Sequence, residues 1–118
     1  MKPIIHIIDD DVDILSILNI FFQKKGFTVI ADHNGNDLDL KNDPCPQVYL
    51  VDINLIGKSG TDICKLIKKE CLHIPVVLMS GNSELVNLSK ECHADAFIAK
   101  PFDINTILSV VNNAVLRA

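Results

Sequence analysis

The sequence has little that would bind nucleic acid or enter a membrane. It has 118 residues with a formal net charge of -4, and Arg117 is its single arginine. Without a basic stripe it is a poor nucleic-acid binder, because such binding depends on neutralising phosphates with Lys and Arg. Its apolar runs, such as 48–51, are far shorter than the about 20 residues of a membrane-spanning helix. The start, Met1-Lys2-Pro3, lacks the long apolar stretch of a signal peptide.

Closely spaced cysteine pairs are also missing. The four cysteines stand far apart, at Cys45, Cys64, Cys71 and Cys92. This scatter indicates reduced thiols in a cytoplasmic protein rather than a disulfide framework. A zinc site built on Cys92 and His93 with distant partners is an alternative, although structural zinc usually takes four ligands from two short-spaced pairs.

The apolar residues that are present predict one α/β domain over residues 1–118. They make up 48% of the chain, which is enough for a single folded core. Short apolar or β-branched runs predict five strands, at residues 4–8, 27–31, 47–52, 75–79 and 96–99. Helical patterns alternate with them. Right-handed crossovers then give a doubly wound five-stranded parallel sheet with helices on both faces.

Several predicted helices have recognisable ends. The first is capped by Asp10 or Asp11 and ends at Gly26, and the last begins after Asp103. The third follows a turn at residues 57–60. A short helix is also predicted between residues 32 and 43. The third helix takes Thr61 as its N-cap. The predicted buried face of the first helix is Ile14, Leu15, Ile17, Leu18, Phe21 and Phe22, and that of the third is Ile63, Leu66 and Ile67, with Cys64 and Cys71 as further candidates.

Polar side chains follow four of the predicted strands. Asp9 and Asp10 follow the first strand, Asp52 ends the third, Ser80 follows the fourth and Lys100 follows the fifth. These side chains should meet in one cleft, because the carboxyl ends of parallel strands share one edge. A divalent cation such as Mg²⁺ would relieve the repulsion of three carboxylates. Cation, lysine and hydroxyl together suit a transferring phosphoryl group, for which a carboxylate can be the nucleophile.

Four segments in this order resemble the receiver domain of two-component response regulators, the CheY-like family. They are Ile8-Asp9-Asp10, Asp52 with Gly60 beyond it, Met79-Ser80-Gly81 and Ala99-Lys100-Pro101-Phe102. The resemblance runs from Ile4 to the last helix. It implies a flavodoxin-like sheet with the strand order 2-1-3-4-5, in which strands one, three and four lie beside each other at the site.

The resemblance implies a phosphoacceptor and a metal site. Asp52 would accept the phosphoryl group. Mg²⁺, or Mn²⁺ in its place, would be bound by Asp52, directly by Asp10, partly through water by Asp9, and by the backbone carbonyl of Asn54.

The resemblance also implies how the phosphoryl group is read. Ser80 would donate a hydrogen bond to it, and Lys100, in a cis peptide bond to Pro101, would bind one of its oxygens. Phe97 would be an aromatic switch that moves inward when the Ser80 hydroxyl moves. His6, in the middle of the first strand, is predicted to be a hydrogen-bonded core residue, whereas Asp32 is expected to lie to one side of the site.

The implied function is that of a cytoplasmic signalling switch, not an enzyme with an external substrate. A sensor histidine kinase or a histidine phosphotransferase would supply the phosphoryl group. The phosphorylated form would bind a downstream protein, unidentified here, through the fourth helix, fifth strand and fifth helix, as a monomer or a phosphorylation-dependent dimer. Whether the domain acts alone or belongs to a longer regulator or hybrid kinase stays open.

Two rival functions share part of this pattern. A Mg²⁺-dependent phosphatase with an aspartyl nucleophile commonly has a second acid two residues after the nucleophile, where this chain has Asn54. A flavodoxin-like nucleotide binder needs a phosphate loop rich in Gly, Ser and Thr after the first strand, where three aspartates stand.

Three features depart from the family pattern. Leu55-Ile56-Gly57 replaces the usual Met-Pro pair after the phosphoacceptor. The stretch from Ser80 to Lys100 is short, so a trimmed or displaced fourth helix is expected. His93 stands where a glycine usually ends that helix. These departures concern partner choice more than the chemistry.

Overall fold

The structure is a computed structural model that describes residues 2–35, 38, 45–81 and 85–117. Most of the short helix predicted between residues 32 and 43 falls on 36, 37 and 39–44, outside the described residues. None of the described helices is long and apolar enough to cross a membrane. The described elements are β1 Ile4–Ile8, α1 Val12–Lys24, β2 Thr28–Asp32, β3 Val48–Asp52, β4 Asn54–Leu55, β5 Lys58–Ser59, α2 Gly60–Glu70, β6 Val76–Ser80, α3 Leu85–Glu91, β7 Ala96–Ala99 and α4 Ile104–Arg117.

The five longer strands form one parallel sheet in the order β2-β1-β3-β6-β7. The predicted doubly wound fold is confirmed. The predicted strand order 2-1-3-4-5 is confirmed too, because β6 and β7 are the fourth and fifth strands of this sheet, and β4 and β5 form a separate antiparallel hairpin. This order places β1, β3 and β6 side by side in the middle of the sheet. Their carboxyl ends, where the polar residues of the predicted site stand, therefore share one edge.

The sheet is covered by apolar residues on both faces. One core cluster joins Ile5, Ile7 and Leu50 to α1 and α4, and the other joins Ile8 and Val51 to α2. All five residues of β3 and all five of β6 are buried. Burial on both faces explains why these strands are apolar without alternation. It also makes their carboxyl ends firm supports for side chains.

Two exposed residues correct the predicted helix faces. Ile17 in α1 is 57% exposed and Leu66 in α2 is 46% exposed. Ile17 lies about 100° around the helix from Leu18, which is buried, so the buried stripe of α1 is too narrow to include it. In α2 the buried stripe consists of Ile63, Cys64 and Ile67 and does not include Leu66.

The start of α2 also differs from the prediction. The N-cap is Ser59, whose side chain accepts a hydrogen bond from the backbone N–H of Thr61 at 3.2 Å, so Thr61 lies inside the helix. The predicted turn is shifted as well. The chain turns at Ile56 and Gly57, where Gly57 has a φ of 77°, and Lys58 already belongs to the hairpin. A turn this tight favours glycine because its φ is positive.

Gly60 brings the first turn of α2 directly against the end of β3. Its N–H donates to the carbonyl of Ile53 at 2.8 Å. A Cβ atom at this position would collide with the backbone oxygen of Asp52 and lie 2.7 Å from Cα of Ile53. Only glycine allows this approach, which explains why a glycine follows Asp52 at this spacing.

We expect Gly60→Ala to lower the free energy of unfolding by about 2 kcal/mol or more, because the added methyl group meets backbone that cannot rotate away. Gly81→Ala is the matched control. A Cβ at Gly81 would touch only Cβ of Lys100, at an ordinary 3.9 Å, so its effect should stay within about 0.5 kcal/mol. Urea unfolding measures both, and equal effects would contradict the backbone contact.

Candidate functional site

The side chains predicted to converge do lie at the same edge of the sheet. Asp9 follows β1, Asp52 is the last residue of β3, Ser80 is the last residue of β6, and Lys100 directly follows β7. Asp9, Asp52 and Ser80 are buried, with exposures of 0%, 4% and 1%. The backbone N–H of Lys100 donates to the carbonyl of Ser80 at 2.9 Å, which joins the ends of β6 and β7.

Lys100 links the two buried carboxylates. Its Nζ lies 3.2 Å from Oδ2 of Asp52 and 3.5 Å from Oδ2 of Asp9. Burial by itself would lower the pKa of Lys100, but the two carboxylates outweigh it and raise the pKa, so the ammonium stays charged. The Lys100–Pro101 peptide bond is cis, as predicted.

The three aspartates form a cluster of possible metal ligands. One carboxylate oxygen each from Asp9, Asp10 and Asp52 lies within 4.8 Å of the others, and no other group of three or more such ligands occurs within the described ranges. The cluster therefore favours a cation here over the alternative of a zinc site at Cys92 and His93.

Asp9 shows the cost of this arrangement. Burial and then the charge of Asp52 raise the pKa of Asp9 to about 6, against the opposing effects of the Asp11 N–H and Lys100. A single ammonium does not balance three carboxylates, and oxygen ligands at this spacing fit a hard divalent cation such as Mg²⁺.

Comparison with known proteins decides the family. The family model described as "Response regulator receiver domain" matches residues 5–112. The chain belongs to the response regulator receiver domain family. It is thus a receiver of two-component signalling, and phosphorylation and Mg²⁺ binding are general features of that family.

Several solved receivers resemble this chain over nearly its whole length. A CheY-like receiver from Methanospirillum hungatei JF-1 superposes with a TM-score of 0.91 at 23% identity, covering 99% of this chain and 96% of that one. The NtrX receiver domain from Brucella abortus gives 0.85 at 27% identity, with 97% and 99% covered. The BeF3-activated receiver domain of DrrB from Thermotoga maritima gives 0.83 at 28%, with 100% of both chains covered.

Of the two remaining predicted residues, Asn54 contacts Asp52, whereas Phe97 lies on the edge strand β7. The backbone N–H of Asn54 donates to Oδ1 of Asp52 at 3.3 Å, so the hairpin after β3 touches the proposed phosphoacceptor directly. Phe97 lies on β7, paired with Leu78 of β6, and is 44% exposed. Its ring therefore borders solvent in this structure.

One of the two expected peculiarities of the α3 region is present. The described part of the helix is Leu85–Glu91, and the residues directly before it, 82–84, lie outside the described ones, so its shortness stays a prediction. His93 follows it with a φ of 61°, the left-handed conformation in which the family usually has glycine. Both lie next to β7 and not at the carboxylates.

For one buried pair near the site, the sequence indicated one member but not its partner. His6 is a hydrogen-bonded core residue, as predicted, and its partner is Asp32, with Nε2 3.1 Å from Oδ2. Burial would raise the pKa of Asp32, but hydrogen bonds from His6 and from the N–H groups of Asn34 and Gly35 lower it overall. Spacing along the chain cannot reveal this pair, since 26 residues separate its members.

We expect Asp9→Asn to raise the free energy of unfolding of the cation-free protein by about 1 to 2 kcal/mol at about pH 7.5. The pKa of Asp9 rises from 3.8 to about 6 on folding, so the ionised carboxylate costs free energy above pH 6. Between those two values the folded protein takes up a proton that the unfolded chain does not, so the cost falls as pH decreases. The gain from the substitution should shrink accordingly.

Urea unfolding in EDTA at several pH values measures this effect. Asp13→Asn, at an exposed acid in the first turn of α1, is the control and should bring no gain. A gain from Asp9→Asn that stays constant with pH would show that charge at Asp9 is not its cause.

Proposed function

We propose that this receiver accepts a phosphoryl group on Asp52 from the phosphohistidine of a sensor histidine kinase or a histidine phosphotransferase. The observation that carries the proposal is the contact of one lysine with two buried carboxylates. Lys100 Nζ lies 3.2 Å from Asp52 and 3.5 Å from Asp9. A charged ammonium held beside a buried acid at a strand end suits a site where negative phosphoryl oxygens arrive.

In the proposed step the carboxylate of Asp52 attacks phosphorus in line with the donor imidazole. An oxygen–phosphorus bond forms, the phosphorus–nitrogen bond breaks, and its electron pair returns to the histidine ring. The product is an acyl phosphate on Asp52. Asn54 orients the nucleophile through its N–H, and the ammonium of Lys100 is free to turn from the carboxylates to a phosphoryl oxygen.

Asp9, Asp10 and Asp52, with the backbone carbonyl of Asn54, would hold Mg²⁺ or Mn²⁺. Such an ion, when bound, would neutralise both the clustered carboxylates and the charge on the incoming phosphoryl group. The raised pKa of Asp9 supports this assignment, because it marks an excess of negative charge that the protein itself does not compensate.

The acyl phosphate would act as a switch through Ser80 and Phe97. Ser80 at the end of β6 would donate a hydrogen bond to the phosphoryl group, and Phe97 lies on the neighbouring strand. The ring borders a groove of about 410 Å³ between α3 and β7. In that groove the hydroxyl of Ser89 is the one buried side-chain oxygen or nitrogen of the described residues without a hydrogen bond. Inward movement of Phe97 would reshape this groove.

The face formed by α3, β7 and α4 is the proposed binding surface for a downstream protein. The receiver would work in the cytoplasm, alone or within a longer regulator or hybrid kinase, as a monomer or as a phosphorylation-dependent dimer, and would catalyse only its own phosphorylation and dephosphorylation. The four cysteines are present as thiols, which agrees with a reducing compartment. The solved receiver of DrrB is described as activated by BeF3, and a site that responds to such a group supports the same kind of switch here.

Incubation with acetyl phosphate and Mg²⁺ tests the proposal. The wild-type chain should gain the mass of one phosphoryl group, and Asp52→Ala should gain none, because the nucleophile is absent. Lys100→Met keeps the length of the side chain without its charge and should react about 100-fold more slowly. Mass spectrometry follows all three, and EDTA should abolish the reaction.

Asp62→Ala serves as the matched control. Asp62 is an exposed acid in the first turn of α2, so its loss should leave the rate unchanged. Equal labelling of Asp52→Ala, or no labelling of the wild type, would contradict the assignment of Asp52 as the phosphoacceptor. Steady release of phosphate from a simple phosphomonoester would instead favour the phosphatase, for which Asn54 leaves no second acid.

A further inference from the structure

The buried pair of His6 and Asp32 has no part in the chemistry proposed so far. The two residues are 3% and 1% exposed, and Nε2 of His6 lies 3.1 Å from Oδ2 of Asp32. An ionised carboxylate only accepts hydrogen bonds, so the ring N–H of His6 is the donor. The His6 ring also packs beside Tyr49 of β3, with centroids 5.4 Å apart. His6 is thus fixed within the interior of the sheet.

Asp32 is the main anchor of an edge strand. β2 is the outermost strand on its side of the sheet, and Asp32 is its one fully buried residue. Both carboxylate oxygens of Asp32 accept hydrogen bonds. Oδ2 accepts from His6, while Oδ1 accepts from the N–H groups of Asn34 and Gly35 at 3.2 and 2.8 Å. The side chain therefore ties the end of β2 both to β1 and to the following loop.

This anchored strand end supports the carboxylate cluster. The carbonyl of Asp32 accepts the backbone N–H of Asp9 at 3.1 Å, the last link between β1 and β2. Beyond that link the Asp9 side chain is held by the N–H of Asp11 at 2.9 Å and by Lys100. A shift of Asp32 would therefore move the backbone from which the Asp9 carboxylate extends.

We propose that His6 and Asp32 are positioning residues for the cation site, since their buried pair fixes the end of β2 and thereby the backbone of Asp9. The inference rests on the proposed function for the cation, and it concerns geometry alone. Groups that orient metal ligands typically change metal affinity by about 10- to 100-fold when they are removed.

Paired substitutions at His6 separate positioning from stability. His6→Leu keeps an apolar side chain of similar bulk but removes the donor, and we expect it to weaken Mn²⁺ binding by about tenfold. His6→Gln places an amide N–H near the position of Nε2 and should retain the wild-type affinity within about twofold. Electron paramagnetic resonance of free Mn²⁺ measures both on the unphosphorylated full chain. The double variant His6→Leu with Asp32→Ala should bind as weakly as His6→Leu alone, because the two side chains act as one unit.

A second readout does not involve the cation. Hydrogen exchange of the Asp9 amide, followed by NMR, should be at least tenfold faster in His6→Leu than in the wild type and unchanged in His6→Gln. Circular dichroism identifies a variant that does not fold. Should His6→Leu be such a variant, Asp32→Asn replaces it, because it keeps the shape of the side chain and an acceptor for the loop. Faster Asp9 exchange is expected there too.

The possible outcomes distinguish the positioning role of His6 and Asp32 from the cation site itself. Equal Mn²⁺ affinity and equal Asp9 exchange in His6→Leu, His6→Gln and the wild type would overturn the positioning role, as would independent, additive losses from His6 and Asp32. A wild-type protein that binds no Mn²⁺ would overturn the cation site itself, and the positioning role would then be judged on the exchange of the Asp9 amide alone.

Discussion

The contact of Lys100 with Asp9 and Asp52 holds the site together against its own repulsion. Three carboxylates crowd one edge of the sheet, and the ammonium lies 3.2 and 3.5 Å from the two buried ones. The compensation is incomplete, because burial and the charge of Asp52 still raise the pKa of Asp9 to about 6. The remaining negative charge would favour the binding of a cation at this edge. In the proposed phosphoryl transfer the same lysine would leave the carboxylates for the arriving phosphoryl group.

Such a crowded cluster of carboxylates needs a backbone that cannot shift to separate the charges. β3 and β6 are buried along their whole length, so the backbone below Asp52 and Ser80 has no room to move. Gly60 lets α2 press directly on the carbonyl of Asp52. On the other side of the cluster β2 is an edge strand, and the His6–Asp32 pair fixes its end where apolar packing is thin. Burial supports one flank of the site and a buried hydrogen-bonded pair supports the other.

The sequence predicted most of this arrangement because the chemistry stands at strand ends. Buried parallel strands leave uninterrupted apolar runs, and the first polar residue after each run marks the edge where Asp9, Asp52 and Lys100 meet. The missed features depend on packing between distant segments. Ile17 fits the helical period but lies beyond the width of the surface that covers α1. Asp32 was expected to lie to one side of the site, and its link to β1 depends on the distant His6. The spacing of residues along the chain indicates neither the partner of Asp32 nor how much of α1 is covered.

Two of the three departures from the family pattern, the short stretch that contains α3 and the His93 that follows it, lie beside β7, at the opposite edge of the sheet from β2. His93, after α3, turns the chain in a left-handed conformation, and the Ser89 hydroxyl of α3 is buried without a hydrogen bond beside the groove next to Phe97. A helix with a buried unsatisfied polar group is held less firmly than the central strands, since each such group costs stability that packing must supply. In the proposed switch a phosphoryl group on Asp52 would meet fixed ligands, while the surface of α3 and β7 that responds to it would have little stability to overcome.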